Sequence, residues 1–205
     1  MEKELYSRQK LLNLYTDIDV HVFGVGGIGF WVALQVAMTG IPQLSLWDND
    51  TLEESNRARL PFPQSVNNMP KTEIAQQFIN TLRPDLDIIC YGKATELSLS
   101  VIPITNDTIA FDCTDNSRAQ QIIARWARQH NFAYIKAGYD GLSLSVTSKT
   151  SSWSTQEEET IGYTTTPSWV VPAIMAASIA LTKAFVNKDL EVHGNIGTIL
   201  LREEM

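Results

Sequence analysis

Short apolar runs and helical periodicities alternate along the first two thirds of the chain. The runs are four to six residues long and are bounded by polar, glycine or proline residues, which is typical of strands in a covered sheet. They predict strands at 20–23, 44–47, 87–91, 109–112, 133–137 and 142–147.

Between the runs, apolar residues recur three or four positions apart, which predicts helices. The helix at 30–38 ends before Gly40, and another helix begins after Pro70 and ends before Pro84. Further helices are predicted near the N-terminus, from the spacing of Leu5, Leu11, Leu12 and Tyr15, and at 117–129 and 169–186.

The order of these elements predicts an α/β fold. Alternation of strand and helix favours a Rossmann-like, mainly parallel sheet with helices on both faces. The strand at 142–147 and a closing strand at 196–201 indicate an antiparallel C-terminal extension. The polar segment 51–68 is predicted to be a loop, and 148–168 a mobile crossover loop. We expect a single domain covering 1–205.

Composition narrows the function classes. The 205 residues carry a net charge of −7, which disfavours a general nucleic-acid surface because phosphate backbones require a basic face. The longest apolar run, 169–181, falls short of the ~20 residues that cross a bilayer. The charged N-terminus lacks the apolar segment of a signal peptide, so we expect a cytoplasmic protein without membrane contact. The two cysteines form no Cys-x-x-Cys pair, which excludes a four-cysteine zinc knuckle.

A glycine cluster between the first strand and the first long helix indicates nucleotide binding. The pattern G-x-G-x-x-G allows a tight turn and a close approach of backbone to phosphate, and the helix N-terminus that follows attracts an anion. Taken alone, this pattern most often belongs to a nicotinamide-dependent enzyme. The glycines concerned are Gly24, Gly26, Gly27 and Gly29.

Polar and charged residues after the second strand help to distinguish an ATP-using enzyme from a nicotinamide-dependent one. Asp48 follows that strand, about 20 residues after the glycines, where an acid can bind ribose hydroxyls. Asn56, Arg59 and Lys71 come next. This density of donors suits phosphoryl or nucleotidyl transfer better than hydride transfer. Either cation considered alone could equally be a solvated surface charge.

Together, these segments resemble the ThiF/MoeB family of ubiquitin-activating-enzyme-like adenylyltransferases. The resemblance extends over nearly the whole chain and includes the later segment Ala137-Gly138-Tyr139-Asp140-Gly141. The motifs that carry it, in order, are Tyr6-Ser7-Arg8-Gln9, Gly24-Val25-Gly26-Gly27-Ile28-Gly29, Asp48-Asn49-Asp50, Ser55-Asn56-Arg57-Ala58-Arg59, Pro70-Lys71 and Asp112-Cys113-Thr114-Asp115-Asn116.

The resemblance implies roles for individual residues. The four glycines would line ATP, and Asp48 and Asp50 would belong to the same nucleotide site, with Asp48 on the ribose. Contacts to the phosphates would come from Asn56, Arg59 and Lys71. Asp115 would help to place Mg²⁺ near the α-phosphate, whereas Asp112 would be structural. Arg8 would reach the site of a neighbouring subunit, which implies a homodimer.

Departures from the family pattern concern sulfur and the crossover loop. Relatives that carry the activated protein onward use a cysteine near that loop, and 148–168 contains none. Cys113 is expected to be buried and Cys90 to be a small core residue, so a thioester relay is not expected. Zinc-binding cysteine pairs are also missing, and Leu60 stands where the family has glutamine. The aromatic residues and the acidic run of the loop could shape a peptide channel; they are Trp153, Tyr163, Trp169 and Glu157-Glu158-Glu159.

The expected function is therefore activation of a carboxylate by ATP. The substrate implied by the resemblance is the C-terminus of a ubiquitin-like protein, a sulfur-carrier protein or a peptide, which becomes an acyl-adenylate as pyrophosphate is released. Two alternatives stay open: a catalytically silent partner or scaffold subunit with the same fold, and a nicotinamide-dependent oxidoreductase.

Overall fold

The computed structural model of the protein describes residues 5–104, 107–150 and 167–199. Within these ranges, seven strands form one sheet in the order β3-β2-β1-β4-β5-β6-β7. The strands are β1 (Asp19–Phe23), β2 (Gln43–Trp47), β3 (Asp87–Tyr91), β4 (Thr108–Asp112), β5 (Ala133–Asp140), β6 (Ser143–Thr147) and β7 (Val192–Asn195).

The first five strands are parallel, β6 pairs antiparallel with β5, and β7 pairs antiparallel with β6. This order confirms the predicted Rossmann-like sheet with an antiparallel extension. Phe23 at the end of β1 is level with Trp47 on one side and Asp112 on the other. The chain order reverses between β1 and β4, and ligands of open α/β sheets bind at such a point, beyond the carboxyl ends of the strands.

Helices cover both faces of the sheet, as predicted. The main ones are α1 (Gly29–Met38), α2 (Lys71–Leu82), α3 (Glu96–Ser100), α4 (Ser117–Gln129) and α5 (Val170–Phe185), with a last turn α6 (Ile196–Ile199). In β1, Val20 and Val22 belong to the core under α1 and α5, and Phe23 packs with Trp126 of α4 on the other face. Burial on both faces of β1, β2 and β4 explains why these strands are mostly apolar, and the polar residues His21 and Ser45 are buried with them.

Two predicted elements are wrong in detail. The closing strand predicted at 196–201 is displaced: β7 ends at Asn195, whose side-chain oxygen accepts a 2.9 Å hydrogen bond from Gly197 N and caps the helical turn α6. Ile196 is apolar because it is buried, at 4% exposure, and not because it continues a strand. The residues of the predicted strand beyond 199 lie outside the described residues.

The N-terminal helix is only a short 3₁₀ helix, Gln9–Leu12. Its predicted apolar face does not enter the core, because Leu5, Leu11, Leu12 and Tyr15 are all exposed. The short helix α3 was not predicted from the sequence; Thr95 caps it through a 3.1 Å hydrogen bond from Ser98 N.

Most of the predicted crossover loop, 151–166, lies outside the described residues, and with it the residues proposed for a peptide channel except Trp169. Among the helices that the structure describes, none combines the length and the apolar character needed to cross a membrane.

Candidate nucleotide site

The glycine turn lies at the carboxyl end of β1, between the ends of β2 and β4. Gly24 N donates a 2.7 Å hydrogen bond to Trp47 O, and the φ angle of Gly24 is +79°, which favours glycine. A Cβ atom at Gly24 would lie 3.0 Å from the carbonyl oxygen of Cys113, after β4. The turn is thus wedged between its neighbouring strand ends, and residue 24 must be small.

The two middle glycines of the turn have different surroundings. A Cβ atom built on Gly26 would meet no heavy atom within 4 Å. One built on Gly27 would lie 2.8 Å from both Cδ and Nε of Arg59 and 2.9 Å from Tyr139 Oη. The backbone therefore leaves an unfilled space at Gly26, and the Arg59 side chain lies directly against Gly27.

Asp48 fixes the shape of the turn from the end of β2. Its Oδ2 accepts a 2.7 Å hydrogen bond from Val25 N, and its Oδ1 accepts a 2.8 Å hydrogen bond from Asp50 N. Burial raises the pKa of this carboxyl, and the two backbone donors and the Lys71 charge oppose that rise. Each carboxylate oxygen retains a second lone pair, so Asp48 can bind a ribose hydroxyl while it holds the turn.

Lys71, the first residue of α2, is tied to the same strand end. Its Nζ lies 3.0 Å from Asp50 Oδ2, and its backbone N donates a 3.0 Å hydrogen bond to Asp50 O. The Lys71 side chain is 12% exposed and that of Asp50 62% exposed. The ammonium group is therefore placed beside the turn and has one exposed carboxylate as its partner, which an incoming phosphate could replace.

Asn56 and Arg59 lie in the predicted loop 51–68 and have different roles there. Both belong to a 3₁₀ helix, Glu54–Ala58, and its C-terminal cap. Asn56 is 8% exposed, and its Oδ1 accepts a 3.1 Å hydrogen bond from Glu53 N. Arg59 Nη1 donates to Ser55 O at 3.2 Å. Asn56 thus stabilises the short helix that carries Arg59, a structural task that the sequence interpretation missed.

Asp112 and Asp115 have separate environments. Asp112 is fully buried, and Thr114 N donates to its Oδ1 at 3.0 Å and Tyr134 Oη to its Oδ2 at 2.6 Å. Asp115 is exposed on the loop between β4 and α4. This contrast agrees with the structural interpretation of Asp112 and leaves the Asp115 carboxylate accessible to a ligand.

The donor set fits Mg²⁺ held partly by a nucleotide. Within the described ranges, no group of three or more His, Cys, Asp or Glu side chains could hold a metal ion by itself. Mg²⁺ is usually bound by one or two carboxylates together with substrate phosphates and water. Asp115 is an exposed carboxylate on the loop whose Cys113 carbonyl lies against Gly24, and it suits that arrangement.

Arg8 does not join the site of its own chain. Its segment is anchored at the far end of α1, where Gln9 Nε2 donates to Thr39 O and the Tyr6 ring packs against Gly40. The ten residues of α1 extend about 15 Å from the glycine turn to that end. Arg8 is exposed there.

Two site residues received no role from the sequence. Tyr139 of β5 reaches Gly27, and its hydroxyl is hydrogen-bonded to Ser168 Oγ. Lys136, on the same strand, is buried behind the loop that carries Asp115. The signals available were a tyrosine in the family-like segment 137–141 and a lysine inside an otherwise apolar strand.

Both cysteines lie among the described residues, are partly buried and form no disulfide. Burial raises the pKa of Cys113 to about 12 and also raises the pKa of Cys90. Because the thiolate is the nucleophilic form, neither environment activates sulfur.

Known proteins share this sequence pattern and fold. The sequence model of the ThiF family matches residues 6–181. The chain is 31% identical over 120 residues to the sulfur carrier protein ThiS adenylyltransferase of Escherichia coli, covering 58% of this chain and 46% of that protein. It is 26% identical over 135 residues to ubiquitin-like modifier-activating enzyme 5 of rice, Oryza sativa, covering 60% and 32%. The chain thus spans less than half of either relative.

Solved structures agree on the fold. Escherichia coli MccB with MccA-N7isoASN superposes with a TM-score of 0.72 at 17% identity, covering 96% of this chain and 72% of that one. Escherichia coli tRNA N6-threonylcarbamoyladenosine dehydratase, solved with ATP, gives a TM-score of 0.59 at 22% identity, covering 68% and 58%. The family match extends from Tyr6 through the glycine turn and both acidic strand ends to Leu181 in α5, and on that ground the chain belongs to the ThiF family.

Proposed function

We propose that this chain is an ATP-dependent adenylyltransferase that activates the C-terminal carboxylate of a ubiquitin-like protein, a sulfur-carrier protein or a peptide. The observation that carries the proposal is the convergence on one glycine turn: Arg59 lies against Gly27, and Lys71 stands beside the strand end that holds Asp48. A glycine turn, two cations and a ribose-binding acid are the parts that a nucleoside triphosphate requires.

Adenylation of a carboxylate requires stabilisation of negative charge and does not require a general base. A carboxylate with a pKa near 4 is already ionised at neutral pH. One of its oxygens would attack the α-phosphorus of ATP, the bond from that phosphorus to the bridging oxygen would break, and pyrophosphate would leave. The barrier is the approach of one anion to another, and Arg59 and Lys71 would lower it by binding the phosphates.

Mg²⁺ would add charge neutralisation on the phosphate oxygens. In this proposal Asp115 would hold the ion, and Asp48 would orient the ribose while it keeps the glycine turn in shape. Lys71 would exchange Asp50 for a phosphate, since the exposed Asp50 carboxylate is hydrated by water when it is released.

The substrate class is supported by the names of the relatives, one of which adenylylates the sulfur carrier ThiS and another of which activates a ubiquitin-like modifier. The negative net charge of −7 supports a protein or peptide substrate over a nucleic acid. Because burial raises the pKa of both thiols, we propose that the acyl-adenylate itself is passed on, without a cysteine thioester.

A homodimer belongs to the same proposal. Arg8 lies about one helix length away from its own glycine turn, so an action on ATP would require the site of a neighbouring subunit.

The test is ATP–pyrophosphate exchange with candidate C-terminal peptides, including tails that end in Gly-Gly. Each peptide is compared with its C-terminally amidated form, which lacks the carboxylate. We expect exchange only with the free acid, and loss of exchange in Asp115→Ala. The control is Asp189→Ala, because Asp189 is also exposed and lies outside the site. Equal exchange with acid and amide, or normal exchange by Asp115→Ala, would contradict the mechanism.

A further inference from the structure

Lys136 of β5 is a buried cation that lies level with Asp112 at the end of β4, and the proposed chemistry does not use it. Its side chain is 6% exposed and that of Asp112 is fully buried; Lys136 Nζ lies 3.7 Å from Asp112 Oδ1. The ammonium group also donates hydrogen bonds to Asp112 O at 3.4 Å, to Ala137 O at 3.3 Å and to Thr114 O. An ammonium has three donors, so these carbonyl groups account for its hydrogen-bonding capacity.

The Asp112 carboxylate also accepts hydrogen bonds at both of its oxygens. Thr114 N and Thr114 Oγ1 donate to Oδ1 at 3.0 and 2.7 Å, and Tyr134 Oη donates to Oδ2 at 2.6 Å. Tyr134 and Lys136 both belong to β5. Two side chains of β5 therefore hold the start of the loop that follows β4, and Gln120 Nε2 of α4 donates a further 3.0 Å hydrogen bond to Thr114 O. Without Lys136, the buried carboxylate would lose the cation that compensates it.

The loop held in this way is a wall of the nucleotide site. Cys113 N donates a 2.8 Å hydrogen bond to Phe23 O, and the Cys113 carbonyl lies against Gly24. Asp115 follows Thr114 directly. The position of the Thr114 carbonyl thus decides where the chain turns before it presents the Asp115 carboxylate.

We infer that Lys136 is a positioning residue, which fixes the Thr114 carbonyl and thereby holds Asp115 beside the glycine turn. The part that concerns Mg²⁺ and ATP rests on the proposed function. The part that concerns the loop rests only on the hydrogen bonds of Lys136 and Asp112.

The chain contains a matched control for Lys136. Lys183 of α5 is also buried, with a side chain that is 2% exposed. Its Nζ donates to Lys188 O at 2.8 Å, to Leu190 O at 2.6 Å and to Glu191 Oε1 at 3.0 Å. Both lysines thus have the same kind of partners, but Lys183 holds the segment after α5 and has no contact with the glycine turn.

The first experiment measures the loop without using activity. The chain has two cysteines, so in a Cys90→Ala background Cys113 is the single thiol and reports on the loop. Because the Lys136 charge lowers the pKa of Cys113, labelling rates are compared per thiolate, with the Cys113 pKa measured in each variant. On that basis Lys136→Met should raise the rate of Cys113 labelling by a thiol reagent by about tenfold, because the loop loses a buried hydrogen-bonding partner and opens more often. Lys183→Met should leave that rate unchanged. Equal labelling in both variants would overturn the inference.

A milder variant guards against misfolding. If Lys136→Met does not fold, Tyr134→Phe removes only the hydrogen bond to Asp112 Oδ2, and the labelling test is repeated with it. Lys136→Arg, which keeps the charge, should restore slow labelling in part.

The second experiment links the loop to the metal. Binding of ATP is titrated by calorimetry at several Mg²⁺ concentrations, and Lys136→Met should require about tenfold more Mg²⁺ than the wild type for half-maximal binding. The same Mg²⁺ requirement in Lys136→Met and Lys183→Met would overturn the positioning of Asp115. A wild type that does not bind Mg-ATP would instead overturn the proposed function, and the labelling rates would still decide whether Lys136 holds the loop.

Discussion

The backbone of Gly29 lies against the carbonyl oxygen of Gly24, so that a Cβ atom at residue 29 would overlap that oxygen. Gly29 is the first residue of α1, and Gly24 directly follows β1. The contact lets the helix begin immediately beside the strand end, and it points the helix N-terminus toward the space in front of Gly26. Two glycines of one motif therefore have different tasks, one in packing and one in leaving room for a ligand.

Gly29→Ala and Gly26→Ala should accordingly fail in different ways. Gly29→Ala should lower the free energy of unfolding by about 3 kcal/mol, because the added methyl group overpacks the strand–helix junction. Gly26→Ala meets no protein atom within 4 Å and should unfold like the wild type, but bind ATP at least tenfold more weakly. Urea unfolding and ATP titration measure the two effects. A Gly26→Ala protein with full ATP affinity would show that the phosphates do not occupy this space.

His21 should make the protein sensitive to acid. It is 6% exposed, accepts a 3.1 Å hydrogen bond from Trp47 Nε1, and burial lowers its pKa to about 4 from the usual 6.5. Between these two values the unfolded chain binds more protons than the folded one, so stability falls as the pH falls from about 6.5 toward 4. The loss should be roughly 1 kcal/mol between pH 7 and 5.5.

The measurement is urea unfolding at pH 7 and 5.5. His21→Gln should lose this part of the pH dependence, and His193→Gln, at an exposed position, should keep it. Identical pH profiles of the wild type and His21→Gln would refute the assignment to His21.

Mixing two inactive variants should restore activity if Arg8 acts on a neighbouring subunit. In a mixed dimer of Arg8→Ala and Asp115→Ala, one of the two sites would combine an intact Asp115 with an intact Arg8. Equal mixing with free exchange of subunits should give about a quarter of the wild-type exchange rate, since half of the dimers are mixed and each has one complete site. A mixture that stays inactive, although the subunits are seen to exchange, would contradict an action of Arg8 on the neighbouring subunit.

Cys90→Ala should retain ATP–pyrophosphate exchange within about twofold, because burial keeps the Cys90 thiol protonated and sulfur takes no part in the proposed reaction. Mass spectrometry of the wild type after incubation with ATP and a peptide substrate should find neither cysteine modified. A peptide adduct on Cys90 or Cys113 that is lost on treatment with thiols would reveal a thioester relay.

Much of the fold could be read from the sequence because the strands are short, mostly apolar segments bounded by polar, glycine or proline residues. The bounds of β1, β2 and β3 were therefore predicted to within a residue. The failures lie where apolar residues do not pack on one face of a regular helix or strand. Leu11 and Leu12 are exposed on a 3₁₀ helix, and Ile196 is buried in a turn, so periodicity could not identify either element.

The sequence by itself identified the candidate residues of the nucleotide site. The motifs named the glycines, Asp48, Arg59 and Lys71, because backbone approach, ribose binding and phosphate binding each need a particular residue type. Only the tertiary structure decided how these parts meet: strands β1, β2 and β4 end level with one another, which brings loops far apart in sequence to a single edge. The tertiary structure also revealed the roles of Asn56 and Lys136. Both side chains form hydrogen bonds with backbone groups, and such bonds cannot be predicted from the pattern of residue types along the chain.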